Sequence, residues 1–295
     1  MKLATLSIGG QSCAAVGLAN GTWLDIGKAG GGTDCVQAII DSGDTAAISA
    51  IAAQAEAGEH AVAVVSAPEF LAPIPAPRKN VFCVGRNYAA HIAEGDRAQK
   101  QNVGVTEHPV YFTKPSTSII APGGDVLLFP QVSTSIDYEV ELAVIIGKPG
   151  RNIAKEAAFD HVFGYTILND ITARDIQRRH GGQYFKGKGL DGSCPLGPWI
   201  VTADAISDPH NLSISLTVNG EQRQDGSTAD MIFDIPTLIA SLSEGMTLEP
   251  GDIIATGTPS GVGYAMDPPQ FLTAGDTVIC TISEIGDLRN SVRVA

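Results

Sequence analysis

The 295-residue chain is predicted to be an α+β protein, mostly β, with a small N-terminal α+β domain (residues 1–75) ahead of a larger strand-rich domain (residues 76–295). Short apolar, β-branched runs separated by Gly, Pro and Asn turn signals recur from Val81 to Ile282, which is the pattern of many strands. Only one clear amphipathic helix interrupts them. The stretch Ser66–Pro77 carries four prolines, which neither a helix nor a central strand sustains, so it reads as a stiff extended linker with the domain boundary near residue 75.

The N-terminal unit opens with strand candidates at Leu3–Ile8, Cys13–Leu18 and Trp23–Ile26. Asp34 with Gln37 resembles a capping box, opening a helix that carries Val36, Ile39 and Ile40. Asp44 precedes a second helix, where Ile48, Ile51, Ala52 and Ala55 share a face and Gly58 closes the run. Beyond the linker, strands are predicted at Val81–Val84, Val110–Phe112, Val126–Phe129, Tyr138–Ile146, Val162–Leu168, Trp199–Val201, Leu212–Val218, Ile253–Ala255 and Thr277–Ile282. The intervening helix is capped by Asp234, tolerates Pro236 in its first turn, and presents Ile235, Leu238, Ile239 and Leu242 before Gly245.

With 44% hydrophobic and 17% charged residues the composition is that of an ordinary globular protein. A formal net charge of −13 argues against nucleic acid, whose phosphates need clustered Lys and Arg, and against an anionic membrane surface. No apolar run approaches the roughly 20 residues of a membrane span. The strand-like start without an apolar leader points to a cytoplasmic location. The five cysteines are scattered and lack C-x-x-C spacing, so they read as small buried hydrophobes in a reducing compartment, and a thiolate zinc site is not expected.

Chemistry concentrates in Asp137-Tyr138-Glu139-Val140-Glu141-Leu142. Strand side chains alternate, so the three carboxylates are expected on one face and Tyr138, Val140 and Leu142 on the other. Such a row is either solvated or held by a hard divalent cation, and the apolar run Leu142–Gly147 favours the buried alternative. Asp170 follows the strand Val162–Leu168; alone it could be a helix cap, but with Glu139 and Glu141 it would complete an open-sided three-carboxylate site. His91 and Glu94 lie at i and i+3 on a helix-compatible stretch, where a carboxylate can orient an imidazole base, though an exposed pair has the same spacing. The polar loop from Gly95 to Glu107 has the composition of a lid. Lys186–Gly192 reads as a mobile basic loop, and Thr256–Gly263 as a Gly-rich loop able to present N–H groups to an anion, or simply a turn. There is neither a nucleophile elbow nor an H-E-x-x-H motif.

Taken in order, Val84-Gly-Arg-Asn-Tyr88, Phe112-Thr-Lys-Pro115, Asp137–Leu142, Asn169-Asp-Ile-Thr-Ala-Arg-Asp175, Ser193-Cys-Pro195 and Thr256–Gly263 resemble the fumarylacetoacetate hydrolase superfamily over roughly residues 75–295. The resemblance implies a mixed β-sandwich roll, a Mg²⁺ or Mn²⁺ ion and a homodimer. It implies metal ligation by Glu139, Glu141 and Asp170, a catalytic His91–Glu94 dyad on a closing segment, Lys188 against the substrate, and substrate contacts from Arg174, Gln177 and Thr258. Asp137, on the same face, is expected behind the ligands. The expected reaction is hydrolysis of a C–C bond in an acylpyruvate-type 2,4-dioxo acid through a cation-stabilised pyruvate enolate. Oxaloacetate decarboxylation, or hydration or isomerisation of a 2-oxo acid, is the alternative in the same site, and a non-catalytic metal-stabilised module the remote one.

Overall fold

Apart from Glu141, the strand Val140–Ile146 is apolar on both faces because both faces are covered. Val140, Leu142, Val144 and Ile146 join one core cluster, while Ala143 and Ile145 join another. A computed structural model describing residues 1–295 shows what covers them.

The strand belongs to a 12-stranded mixed sheet. From one edge its order runs Val64–Val65, Trp23–Asp25, Gln11–Gly17, Lys2–Ile8, Cys194–Thr202, Val162–Asn169, Val140–Ile146, Ile253–Ala255, Val81–Gly85 and Val110–Lys114. Two short strands, Glu69–Phe70 and Ile119–Ile120, attach beside Lys2–Ile8 and Cys194–Thr202. Pairing is antiparallel except where Ile253–Ala255 meets Val81–Gly85 and Cys194–Thr202 meets Ile119–Ile120. A five-stranded sheet, ordered Glu221–Ser227, Ser213–Val218, Thr277–Ile282, Gly286–Val294 and Asp125–Leu128, packs Ile214, Leu216, Val278, Cys280 and Leu288 against Val144 and its neighbours. On the other side of the large sheet, Val36, Ile39, Ile40 and Ile48 of the N-terminal helices belong to the same core cluster as Ala143 and Ile145. The result is the mostly β, mixed-sheet roll expected from the sequence. The strands of residues 2–25 join the large sheet directly, through Leu3 opposite Ile200.

Two capping expectations hold and one does not. Asp44 accepts from the Ala47 N–H at 3.1 Å, and Asp234 accepts from the Thr237 N–H at 2.9 Å. The helix Val36–Ser42 instead follows Cys35 with no side-chain cap, because Gln37 turns outward to Asp41 and the Pro250 carbonyl. Besides five two-residue strands, two long strands went unpredicted. Glu221–Ser227 is polar and buries little beyond Gln224, and Gly286–Val294 alternates but interrupts its apolar row with Asn290.

Candidate active site

The acidic run is not one continuous strand. Regular pairing stops after Asp137 and resumes at Val140. Side chains take over the backbone donors between them. The Tyr138 N–H donates to Asp137 Oδ1 at 2.9 Å, Glu139 N–H to Asn169 Oδ1 at 3.0 Å, and Val140 N–H to Gln224 Oε1 at 2.9 Å. The break still leaves Glu139 and Glu141 lining one pocket of about 320 Å³, with His91, Arg174, Lys188 and Thr258 around it.

Asp170 comes from the adjoining strand end, where its N–H donates to the Glu139 carbonyl at 2.8 Å. It caps no helix, since the following helix Arg174–Arg179 begins after Ala173. Glu139, Glu141 and Asp170 are all buried and place ligand oxygens within 4.8 Å of one another. Burial pushes the Glu141 carboxyl well up, and the charges of Asp170 and Glu139 push it further. Burial raises Glu139 too, but Lys188 and Arg174 outweigh it and hold that carboxyl well below the usual range. Lys188 stands between two of the carboxylates, its Nζ 2.6 Å from both Glu139 Oε2 and Asp170 Oδ2. Burial works against its charge, and Asp170 and Glu139 more than restore it, so its pKa rises. An all-oxygen donor set, a cation already between two members, and a third carboxylate repelled by both fit a hard divalent ion.

His91 and Glu94 lie on the helix Ala89–Gln99, and His91 Nδ1 is 2.8 Å from Glu94 Oε1. A carboxylate only accepts, so Nδ1 carries the hydrogen, and in the neutral imidazole it is Nε2 that keeps the lone pair. The Gly-rich loop after Ala255 serves the protein's own carboxylates. Gly257 N–H donates to Glu141 Oε2 at 2.9 Å, Gly261 N–H to Glu94 Oε2 at 2.8 Å, and Gly263 N–H to Asp137 Oδ1 at 2.8 Å. Gly261 has φ +109, and a Cβ there would sit 2.0 Å from the Arg223 carbonyl oxygen, so glycine is needed for this approach.

All nine sequence-predicted residues converge on this site, and several expectations about them are refined. Arg174 is tied down by Asp137 Oδ2 at 2.8 Å and Glu139 Oε1 at 2.6 Å, so Asp137 faces Arg174 and is not one of the three clustered carboxylates. Gln177 lines the pocket, where its Oε1 accepts from Arg174 Nη1 at 3.4 Å. The Thr258 hydroxyl also lines it and accepts from Gln224 Nε2 at 2.8 Å. Lys188 is not on a mobile loop: it ends the short helix Phe185–Lys188 and is 2% exposed. Nor is Gly95–Glu107 all loop, since the helix runs on to Gln99 before it.

Sequence reading missed Lys114 and Tyr264. Lys114 is fully buried, 2.8 Å from Asp170 Oδ1, and donates to the carbonyls of Ile171 and Lys188. Its signal was a lone lysine closing the strand Val110–Lys114, ahead of Pro115. Tyr264 puts its ring 4.3 Å from the Arg174 guanidinium, and nothing in its local sequence marks it.

The family model for the C-terminal region of fumarylacetoacetate (FAA) hydrolase matches residues 80–293. The chain belongs to the fumarylacetoacetate hydrolase family. Oxaloacetate tautomerase YisK of Bacillus subtilis is 54% identical over 222 residues, covering 75% of this chain and 72% of that protein. A fumarylacetoacetate hydrolase structure from Exiguobacterium antarcticum superposes with a TM-score of 0.84 at 41% identity over the full length of both chains. A maleylpyruvate hydrolase from Sphingobium sp. SYK-6, in complex with manganese(II) and pyruvate, does so with a TM-score of 0.77 at 31% identity, again over both full chains. The similarity to YisK favours the oxaloacetate alternative over acylpyruvate hydrolysis. No helix is long and apolar enough to cross a membrane.

Proposed function

We propose that the protein is a divalent-metal-dependent oxaloacetate tautomerase, interconverting the enol and keto forms of this 2-oxo dicarboxylate. One observation carries the reading: His91, pinned through Nδ1 by Glu94, shares a pocket with Glu139, Glu141 and Lys188, and the Asp170 carboxylate lies within 4.8 Å of those of the two glutamates. Tautomerisation needs this and no more, namely one proton carrier at C3 and a positive environment at the C2 oxygen. The 54% identity to a protein named for this reaction supports it.

Glu139, Glu141 and Asp170 would hold Mg²⁺ or Mn²⁺, which supplies a Lewis acid for the charge that develops on the C2 oxygen. Arg174 and Gln177 hold the C1 carboxylate, and Thr258 closes that end of the pocket. Towards the enol, His91 Nε2 removes a proton from C3; the C–H electron pair becomes the C2–C3 double bond, and the C2 oxygen gains the carbonyl pair and then takes a proton from solvent, to which the His91 imidazolium returns its own. Lys188 faces that oxygen and stabilises its charge. Glu94 keeps the imidazole in the tautomer that accepts and steadies the imidazolium that results. The return direction reverses each transfer.

Hydrolysis of an acylpyruvate would use the same His91 on a water molecule, and the similarity to a maleylpyruvate hydrolase keeps that reading in the test. Loss of the enol absorbance of oxaloacetate and release of pyruvate from an acylpyruvate should both be followed for wild type and His91→Ala with Mg²⁺ and Mn²⁺. The proposal expects fast tautomerisation, its collapse in the variant and little pyruvate release. Pyruvate release without tautomerisation would overturn it.

A further inference from the structure

Four cationic side chains line the pocket: Arg86, Arg174, Arg178 and Lys188. Three are held by the protein's own acids. Lys188 lies between Glu139 and Asp170, Arg174 reaches Asp137 and Glu139, and Arg86 Nη2 is 2.9 Å from Asp96 Oδ1. Arg178 forms no ion pair, and its exposed guanidinium rests 5.2 Å from the centre of the Tyr264 ring.

The placement of Arg178 is the informative part. It follows Arg174 by four positions on the helix Arg174–Arg179, so the two arginines lie about one turn apart on one face, about 6 Å along the axis. Both lie over the same ring, that of Tyr264. That ring is fixed at both ends. The Tyr264 N–H donates to Asp137 Oδ2 at 3.1 Å, and its hydroxyl accepts from Gln99 Nε2 at 3.3 Å. A guanidinium backed by a fixed aromatic face keeps its N–H edges for a planar anion and loses little freedom in binding one. The two carboxylates of a four-carbon diacid are only three C–C bonds apart, which suits two guanidinium groups gathered over one ring.

We propose that Arg178 receives the distal carboxylate of the substrate and makes the pocket selective for 2-oxo dicarboxylates over 2-oxo monocarboxylates. This rests on the tautomerase reading for the position of the C1 end near Arg174. Arg178 is a specificity-determining residue, since the distal carboxylate takes no part in the proton transfer.

The test uses Arg178→Met, whose side chain can still lie on Tyr264, and Arg178→Lys, which keeps the charge without the fork. C3 hydrogen exchange is measured for oxaloacetate and for 2-oxobutyrate, the monoacid of equal length, with the Mn²⁺-loaded enzyme. In Arg178→Met the preference for oxaloacetate should fall about tenfold or more, carried by KM and not kcat, with Arg178→Lys between it and wild type. An unchanged preference, or a loss carried by kcat, would overturn the assignment. If the wild-type protein does not act on oxaloacetate, the tautomerase reading falls, and Arg178 is then judged by calorimetry. Malate and 2-hydroxybutyrate are the unreactive probes. Weaker discrimination between them in Arg178→Met supports the distal site, and equal discrimination overturns it.

Discussion

Glu94→Gln is nearly isosteric, yet the hydrogen-bond geometry allows it no good solution. Glu94 accepts at both oxygens: Oε1 faces His91 Nδ1 at 2.8 Å, and Oε2 takes the Gly261 N–H at 2.8 Å. Glutamine offers one oxygen and one amino group. With its oxygen on His91, the amino group meets the fixed Gly261 N–H, and two donors face each other in a half-buried site. With its oxygen on Gly261, the amino group donates to Nδ1 and moves the imidazole hydrogen to Nε2, where the base is needed. Leaving a donor unmatched costs about 1–3 kcal/mol, so the second arrangement prevails by roughly 5- to 150-fold. The variant also loses the charge that steadies the imidazolium. Turnover of oxaloacetate should therefore fall about 100-fold while the melting temperature changes by no more than about 2 °C, because one hydrogen bond to Gly261 survives. Stopped-flow loss of the enol absorbance and a thermal melt measure the two. A turnover within threefold of wild type would refute the assignment of Glu94 as the group that sets the tautomer.

Removing the Lys114 ammonium leaves Asp170 and two carbonyls short of a partner in a fully buried place. Lys114→Met should cost about 3–5 kcal/mol, or roughly 6–20 °C in melting temperature by calorimetry. Glu141→Ala should abolish the rise in melting temperature that Mn²⁺ gives the wild-type protein, and a retained rise would remove Glu141 from the ligand set. Burial pushes the Cys13 thiol up to about 11 and the Cys194 thiol up to about 12, while Cys35 is exposed. A disulfide reagent at pH 8 should thus modify Cys35 quickly in the native protein and the others only after unfolding. Burial raises the Asp234 carboxyl, but hydrogen bonds from Thr237 and Lys155 outweigh it and leave it lowered. The stabilisation from this cap is present above the ordinary carboxylate pKa and is lost as pH falls through the lowered one. Asp234→Ala should cost about 1 kcal/mol near pH 7, with the difference from wild type vanishing in acid.

The three clustered carboxylates were legible because alternation along a strand and an acid at a neighbouring strand end are local patterns, as is the i, i+3 spacing of His91 and Glu94. The caps Asp44 and Asp234 were legible for the same reason. What stayed hidden depends on long-range contacts. The break at Tyr138–Glu139 follows from acceptors supplied by Asn169 and Gln224, far away in sequence. Lys188 looked mobile among glycines, and only the two carboxylates that clamp it make it rigid. Lys114 looked like an ordinary strand-end lysine until Asp170 was placed beside it. The pairing of Lys2–Ile8 with Cys194–Thr202 spans most of the chain, and no local periodicity encodes it.

The most direct test of the central claim, one base acting at C3 within this pocket, is deuterium exchange of oxaloacetate in D₂O followed by proton NMR with the Mn²⁺-loaded enzyme, read after removal of the metal. A single His91 predicts that one of the two C3 hydrogens exchanges much faster than in buffer, and that His91→Ala abolishes the difference. Exchange no faster than in buffer, or equal acceleration at both hydrogens, would contradict it.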